Sequence, residues 1–222
     1  MDQNVILVET VPLEFDLESL GCRLRIRPGQ TKFMDRLSRL AEEAARVARP
    51  KAVARLCGLT ILDEEKVQVG EVTFSSPLLR QKMDGLGRAF PYLASEGTEL
   101  ADWSLSLSSS LEQVFASALR EVAVQQAEIL LLRTHLEHIS IAQVSAMNPG
   151  SLKVWSLEEQ VPLFELLAPL PEKLGVTLLP SLMMRPEYSV SGVFFQTDSK
   201  FYNCQLCPKK ECPNRRTPSL VT

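Results

Sequence analysis

Val144-Ser145-Ala146-Met147-Asn148-Pro149-Gly150-Ser151-Leu152-Lys153-Val154-Trp155 leads into an amphipathic segment and, later, into Ser-Val-Ser-Gly-Val-Phe-Phe at 189–195. The reading of the fold turns on these two pieces. Asn148-Pro149-Gly150 is a turn by its chemistry: Pro149 fixes φ and removes a donor, and Gly150 accepts positive φ without steric cost. Ser189 and Ser191 put two hydroxyls just ahead of Gly192 and the apolar run Val193-Phe194-Phe195. A glycine inside a strand lets another backbone or a ligand come close. Asn148, Pro149, Gly150 and Ser151, with Ser189, Ser191 and Gly192, therefore read as two halves of a polar small-molecule site. The competing reading is two ordinary loops, since turns of this kind are common.

Between the two pieces, Ser156 with Glu159 three residues on gives the capping-box pattern. Leu157, Val161, Phe164 and Leu167 then form the buried face of a helix, and 176–179 reads as a short strand. Upstream, Ser110 to about His138 is the longest helical pattern, with Leu111, Phe115, Ala118, Val122, Ile129, Leu132 and Leu136 in one stripe that Gln125 interrupts. His135 and His138 lie three apart near its end, a spacing compatible with a metal or with simple helix-end electrostatics. Before it, Arg88 to Ser95 is an apolar strand that runs through Glu96-Gly97 into a helix at 99–107 with Thr98 as its cap. Glu96 and Glu99 are candidate ligand contacts at that strand–loop–helix junction, or equally helix caps.

The N-terminal part mixes strands and helices. A strand lies within Asn4 to Phe15 and ends near Pro12, followed by a helical turn over 16–22. Thr31 caps a helix to about Ala48 with Phe33, Leu37, Leu40, Ala41, Ala44 and Val47 on one face. Arg36, Arg39, Arg46 and Arg49 surround it, as a solvated face or a basic patch. Val53 to Ile61, with Gly58 as a bulge, and Val67 to Phe74 each read as one strand. Ser76-Pro77 then opens a helix to Met83.

The tail carries Cys204-x-x-Cys207 and then Cys212. Two thiolates two residues apart can chelate one ion and a third can join through a simple turn. Cys204, Cys207 and Cys212 are thus candidate ligands for zinc or an iron–sulfur cluster. Cys22, Cys57, a histidine, an exogenous thiol or water would complete the set. A redox dithiol and free thiols on a loose tail are the alternatives. Lone Cys22 reads as a half-buried structural thiol.

The order of Pro149-Gly150, Trp155, Leu157-Glu158-Glu159-Gln160-Val161-Pro162-Leu163-Phe164, Gly175-Val176, Met183-Met184 and Ser189-Val190-Ser191-Gly192 resembles the reactivation (AdoMet-binding) domain of cobalamin-dependent methionine synthase. Its short, stand-alone forms are more similar still. The resemblance is best over roughly Glu96 to Phe195. It implies an α+β fold, a twisted, largely antiparallel sheet flanked by helices. It divides the chain into an N-terminal α/β part (1–95), a reactivation-domain-like core (96–198) and a Cys-rich tail (199–222). It also implies S-adenosylmethionine held in a shallow site and a methyl passed to reduced cobalamin. The cobalamin belongs to a partner, a corrinoid protein or cobalamin-dependent methyltransferase, and an electron donor assists. No residue reads as a general base, and this transfer needs none. In the family the loop reads Arg-x-x-Pro-Gly-Tyr, and that Arg and Tyr contact S-adenosylmethionine. Here Ala146 and Ser151 stand in those places. The alternative is therefore a non-catalytic corrinoid-protein scaffold, or a metal- or iron–sulfur-binding accessory protein, that has lost S-adenosylmethionine binding.

Composition narrows the field. The 222 residues are 45% hydrophobic with a net charge of −3, enough for one good core or two small lobes and too balanced for general attraction to nucleic acid or anionic membrane. No run is long enough for a transmembrane helix. The start, Met1-Asp2-Gln3-Asn4, lacks a signal-peptide pattern, and five cysteines do not form a secreted disulfide framework. The expectation is a cytoplasmic protein.

Overall fold

The computed structural model describes residues 4–9, 11–139, 143–198, 200–209, 212, 215 and 217–220, with the side chains of 135–139 outside the description. The histidine pair His135 and His138 therefore lies outside the described side chains. In chain order the elements are β1 (Val5–Val8), α1 (Leu17–Arg23), α2 (Thr31–Val47), β2 (Lys51–Arg55), β3 (Cys57–Ile61), β4 (Lys66–Val69), β5 (Val72–Ser75), α3 (Pro77–Lys82) and β6 (Arg88–Ser95). They continue with α4 (Thr98–Ser106), α5 (Ser110–Ile139), β7 (Val144–Met147), α6 (Gln160–Leu167), α7 (Leu170–Leu174), β8 (Thr177–Leu178), β9 (Met184–Arg185) and β10 (Ser189–Gln196). No described helix is long and apolar enough to cross a membrane.

An eight-stranded antiparallel sheet is built around β6. One edge of β6 pairs first with β2, from Lys51↔Ser95 to Ala54↔Tyr92, and then with β3, at Cys57↔Ala89 and Gly58↔Arg88. The ladder on that edge is interrupted opposite Pro91, which has no N–H to offer a partner. Leu56, next to the break, faces the other edge and donates its N–H to the Asn4 carbonyl (2.7 Å), continuing the β1–β2 register. The other edge of β6 pairs with β10 from Ser189↔Ser95 to Phe194↔Phe90, and β10 pairs outward with β7. The sheet is thus continuous across residue 95, and β8–β9 form a separate small ladder. This mixed architecture is the α+β class expected from the sequence.

Both faces of the sheet are covered. Val53, Leu93, Val193 and Phe195 pack with Trp155, Phe74 and the α6 leucines Leu163, Leu166 and Leu167. On the opposite face Ala52, Ala54, Phe90, Tyr92, Ala94 and Phe194 pack with Val124, Ala127 and Leu131 from the second half of α5. The first half of α5 packs instead on α2 and α4 through Phe115, Leu119, Ala123, Leu37, Leu40 and Leu100.

Several local expectations change. Gln30, not Thr31, holds the N-cap position of α2 and makes no side-chain cap; Gly97, not Thr98, does so for α4. Phe33 is exposed rather than on the buried face of α2. Arg39 bonds Glu43 and reaches Glu112 of α5, each at 2.7 Å, with Arg36 3.8 Å from the same Glu112. Part of the arginine cluster is therefore spent within the fold. The 53–61 run is two strands, and 66–75 is a hairpin turning at Gly70 (φ 60°).

The capping box at Ser156 is only half made. Ser156 accepts from the Glu158 N–H, but the Glu159 carboxylate reaches across to accept from the Ser75 N–H (3.2 Å). Its second oxygen is buried without a donor. Burial pushes the Glu159 carboxyl above its ordinary range, against the pull of that Ser75 N–H. A carboxyl raised on folding contributes stability below its ordinary range and loses it as pH rises through the raised value. Glu159→Gln keeps an acceptor for Ser75 and removes the charge. In thermal unfolding it should therefore melt higher than the wild type at about pH 8 and equal to it at about pH 4.

Candidate functional site

β7 ends at Met147, paired with Val193, so Asn148 leaves the ladder beside Gly192. Gly192 is itself paired with Tyr92 on its other edge. A Cβ on Gly192 would stand 2.6 Å from Asn148 Nδ2, 2.9 Å from Tyr92 Cε1 and closer still to the Met147 carbonyl. The missing side chain is what lets the Asn148 amide lie over the strand.

That amide is the hub of a polar chain. Asn148 Nδ2 donates to Tyr92 Oη (2.7 Å) and to the Ser191 carbonyl (2.8 Å). Tyr92 Oη donates to Glu128 Oε1 of α5 (2.7 Å). Asn148 Oδ1 accepts from Asn203 Nδ2 (3.0 Å), in the segment that follows β10. The Tyr92 ring stacks on Phe194 at a centroid separation of 3.7 Å. Phe201 anchors the following segment: it is buried, its N–H donates to Ser145 Oγ (2.7 Å), and Lys82 lies over its ring.

These groups surround a cleft of about 470 Å³ between the β7–β10 edge, α5 and residues 200–204. Val144, Ala146, Val190 and Phe194 give it an apolar floor; Glu128, Asn148, Lys200, Tyr202, Asn203 and Cys204 give it a polar rim. Asn203 Oδ1 is buried with no donor. Size and lining fall within the range of small-molecule pockets.

The two bends read from the sequence are therefore adjacent, but only part of each meets the cleft. Asn148 lines it. Pro149, Gly150 and Ser151 do not: Pro149 is buried, and Gly150 (φ 76°) closes a turn against Leu157. Ser151 is exposed outside the lining. On β10 the period of two sends Val190, Gly192 and Phe194 to the cleft face and Ser189 and Ser191 to the other. Ser191, 2% exposed, donates to Gln160 Oε1 of α6 (3.0 Å). Ser189 donates to the Pro186 carbonyl (2.8 Å).

Glu96 is fully buried and structural. Arg120 grips it with two bonds of 2.6 and 2.7 Å, and the Tyr188 N–H adds a third. Burial pushes the Glu96 carboxyl upward, opposed by Arg120. Glu99 is exposed and, among the described residues, accepts from the neighbouring Thr98 hydroxyl (3.3 Å). Neither lines the β7–β10 cleft. A smaller cleft of about 270 Å³ near them is bordered by Arg120, Thr177, Arg185 and Glu187.

The tail thiols do not gather. Among the described residues no group of three or more His, Cys, Asp or Glu side chains is placed to hold a metal ion, and Cys204, Cys207 and Cys212 are free thiols. Their turn closes on a guanidinium instead: Arg215 donates to the carbonyls of Cys204 (2.9 Å) and Cys207 (3.4 Å), and to that of Lys209. Cys207 packs toward the core, and Cys22 is exposed rather than half-buried.

Glu128, Tyr92, Lys200, Tyr202 and Asn203 were not singled out from the sequence. Glu128 had a signal: it falls on the same helical stripe as Val124 and Leu131, where an acid is out of place.

No protein-family model matches the chain, and no curated protein sequence matches it. The fold does match a solved structure, the crystal structure of the MetH reactivation domain bound to AdoHcy. The TM-score is 0.59 over 89% of this chain and 80% of that one, at 18% sequence identity. At that identity the likeness is one of fold. It agrees with the twisted antiparallel sheet flanked by helices that the sequence resemblance implied.

The steric reading of Gly192 is directly testable. Gly192→Ala should lower stability by about 1–3 kcal/mol through overpacking. Gly58→Ala, where nothing lies within 4 Å of an added Cβ, should leave the melting temperature nearly unchanged.

Proposed function

We propose that this chain binds S-adenosylmethionine, or its demethylated product S-adenosylhomocysteine, in the β7–β10 cleft and supports the reductive methylation of a corrinoid protein. One observation carries the reading: on a fold like that of the AdoHcy-bound MetH reactivation domain, a hydrogen-bonded chain from Asn203 through Asn148 and Tyr92 ends on the Glu128 carboxylate at an apolar-floored cleft.

The residues present suit such a ligand. Glu128 offers a carboxylate to its cationic end, and the bond from Tyr92 fixes the orientation of that carboxylate. Val144, Val190 and Phe194 cover apolar surface. The ligand's own chemistry is a sulfonium-bound methyl, which a reduced corrinoid on a separate protein would take, with the reducing electron supplied by a donor outside this chain. The chain's own work is to bind, orient and dock.

A scaffold that has lost the ligand is the second reading. It rests on Ala146, which lines the cleft with a methyl where the resembled family has an arginine, and on Ser151, which lies outside the lining. Calorimetric titration separates the two. S-adenosylhomocysteine should bind with a dissociation constant on the order of micromolar. Glu128→Gln should weaken it about tenfold. If the native chain gives neither heat nor a thermal shift, the scaffold reading stands in its place.

Arginine restored on the floor gives a further check. Ala146→Arg adds a charge-assisted partner for the ligand carboxylate and should tighten binding about tenfold. An unchanged or weakened affinity would place the carboxylate elsewhere.

A further inference from the structure

Among the described residues the cleft carries one carboxylate and one ammonium. Among its lining residues Glu128 is the acid and Lys200 the base; the others are apolar or neutral. Lys200 is exposed and makes no ion pair among the described residues. Its Nζ lies 5.2 Å from the centroid of the Tyr202 ring, itself part of the rim. That cation–π contact restrains a flexible side chain beside the cleft without neutralising its charge. The segment bearing it is held in place by Phe201, whose N–H bonds Ser145, and by the Asn203–Asn148 pair. The floor contributes no cation of its own, because β7 presents Ala146.

We infer that Lys200 is a specificity-determining residue that pairs with the α-carboxylate of the bound ligand, so that the cleft selects a nucleoside carrying a zwitterionic amino acid. Opposite charges on the rim match the opposite charges of an amino acid, the ammonium facing Glu128 and the carboxylate facing Lys200. A nucleoside without the carboxylate leaves Lys200 with water only. The inference rests on the function proposed above and goes further by assigning the group that recognises the carboxylate. The pair is exposed at one end, so its contribution is moderate and falls with added salt.

The test compares S-adenosylhomocysteine with decarboxylated S-adenosylhomocysteine, which differ only in that carboxylate, by calorimetric titration of the full chain. The wild type should prefer the carboxylate form by about tenfold. Lys200→Ala should abolish the preference while leaving affinity for the decarboxylated ligand unchanged, and Lys200→Arg should keep the preference. A general structural effect would move both ligands together. A preference that survives in Lys200→Ala, or equal binding of both ligands by the wild type, overturns the role of Lys200 and leaves the cleft assignment standing. If the wild type binds neither ligand, the proposed function itself fails, and the role of Lys200 with it.

Discussion

The seating of the Asn148 carboxamide over Gly192 is the contact on which the site depends. It requires the absence of one Cβ, because any side chain at 192 would overlap Asn148 Nδ2 and the Met147 carbonyl. Once seated, the amide joins four pieces of chain at one point: β6 through Tyr92, β10 through the Ser191 carbonyl, the loop after β7, and the segment after β10 through Asn203. Tyr92 then passes the polarity to Glu128 on α5. A buried polar network of this kind is stabilising only when its members are satisfied. Asn203 Oδ1 is the member left over, buried without a donor.

Two other networks of similar chemistry lie apart from this one. On the far face Ser191 is closed by Gln160, and Ser189 by the Pro186 carbonyl. At the end of β6, Glu96 is bound by Arg120 and Tyr188 together. Arg120 also lies over the Tyr188 ring, so the pair fixes α5 against the start of β10. A carboxylate already holding three donors and fully buried has little left for a ligand. Breaking such a pair by removing one partner exposes an uncompensated charge, which makes it a structural clamp. Glu128 is half-buried, accepts from Tyr92 Oη and lines the cleft.

Much of the fold was legible because hydrophobic periodicity is a strong signal. The long α5, the buried β6 and the β10 strand all follow from it. The breaks were less so. Val53-Ala54-Arg55-Leu56-Cys57 reads as one run, and nothing local marks Leu56 as the place where β2 gives way to β3; the cause lies across the ladder, in Pro91. The turn at Gly70 did have a local mark, a glycine between two short β-branched runs. In the site, the adjacency of the loop after β7 and the strand at Gly192 was legible, but not which side chains share a face. Strand alternation alone bars Ser191 and Gly192 from the same cleft. Glu128, Tyr92 and Asn203 come from three distant segments, and their convergence is a product of tertiary structure. In the tail, the carbonyls of the cysteine turn converge on Arg215, a contact that the cysteine spacing does not announce.

A crystal structure of the protein grown with S-adenosylhomocysteine tests the central assignment most directly. The expected result is the ligand seated between the β7–β10 edge and α5, with its ammonium bonded to Glu128 and its nucleoside on the Val190–Phe194 floor. Ligand seated instead in the smaller cleft beside Arg185, or crystals with the β7–β10 cleft empty at saturating ligand, would contradict it.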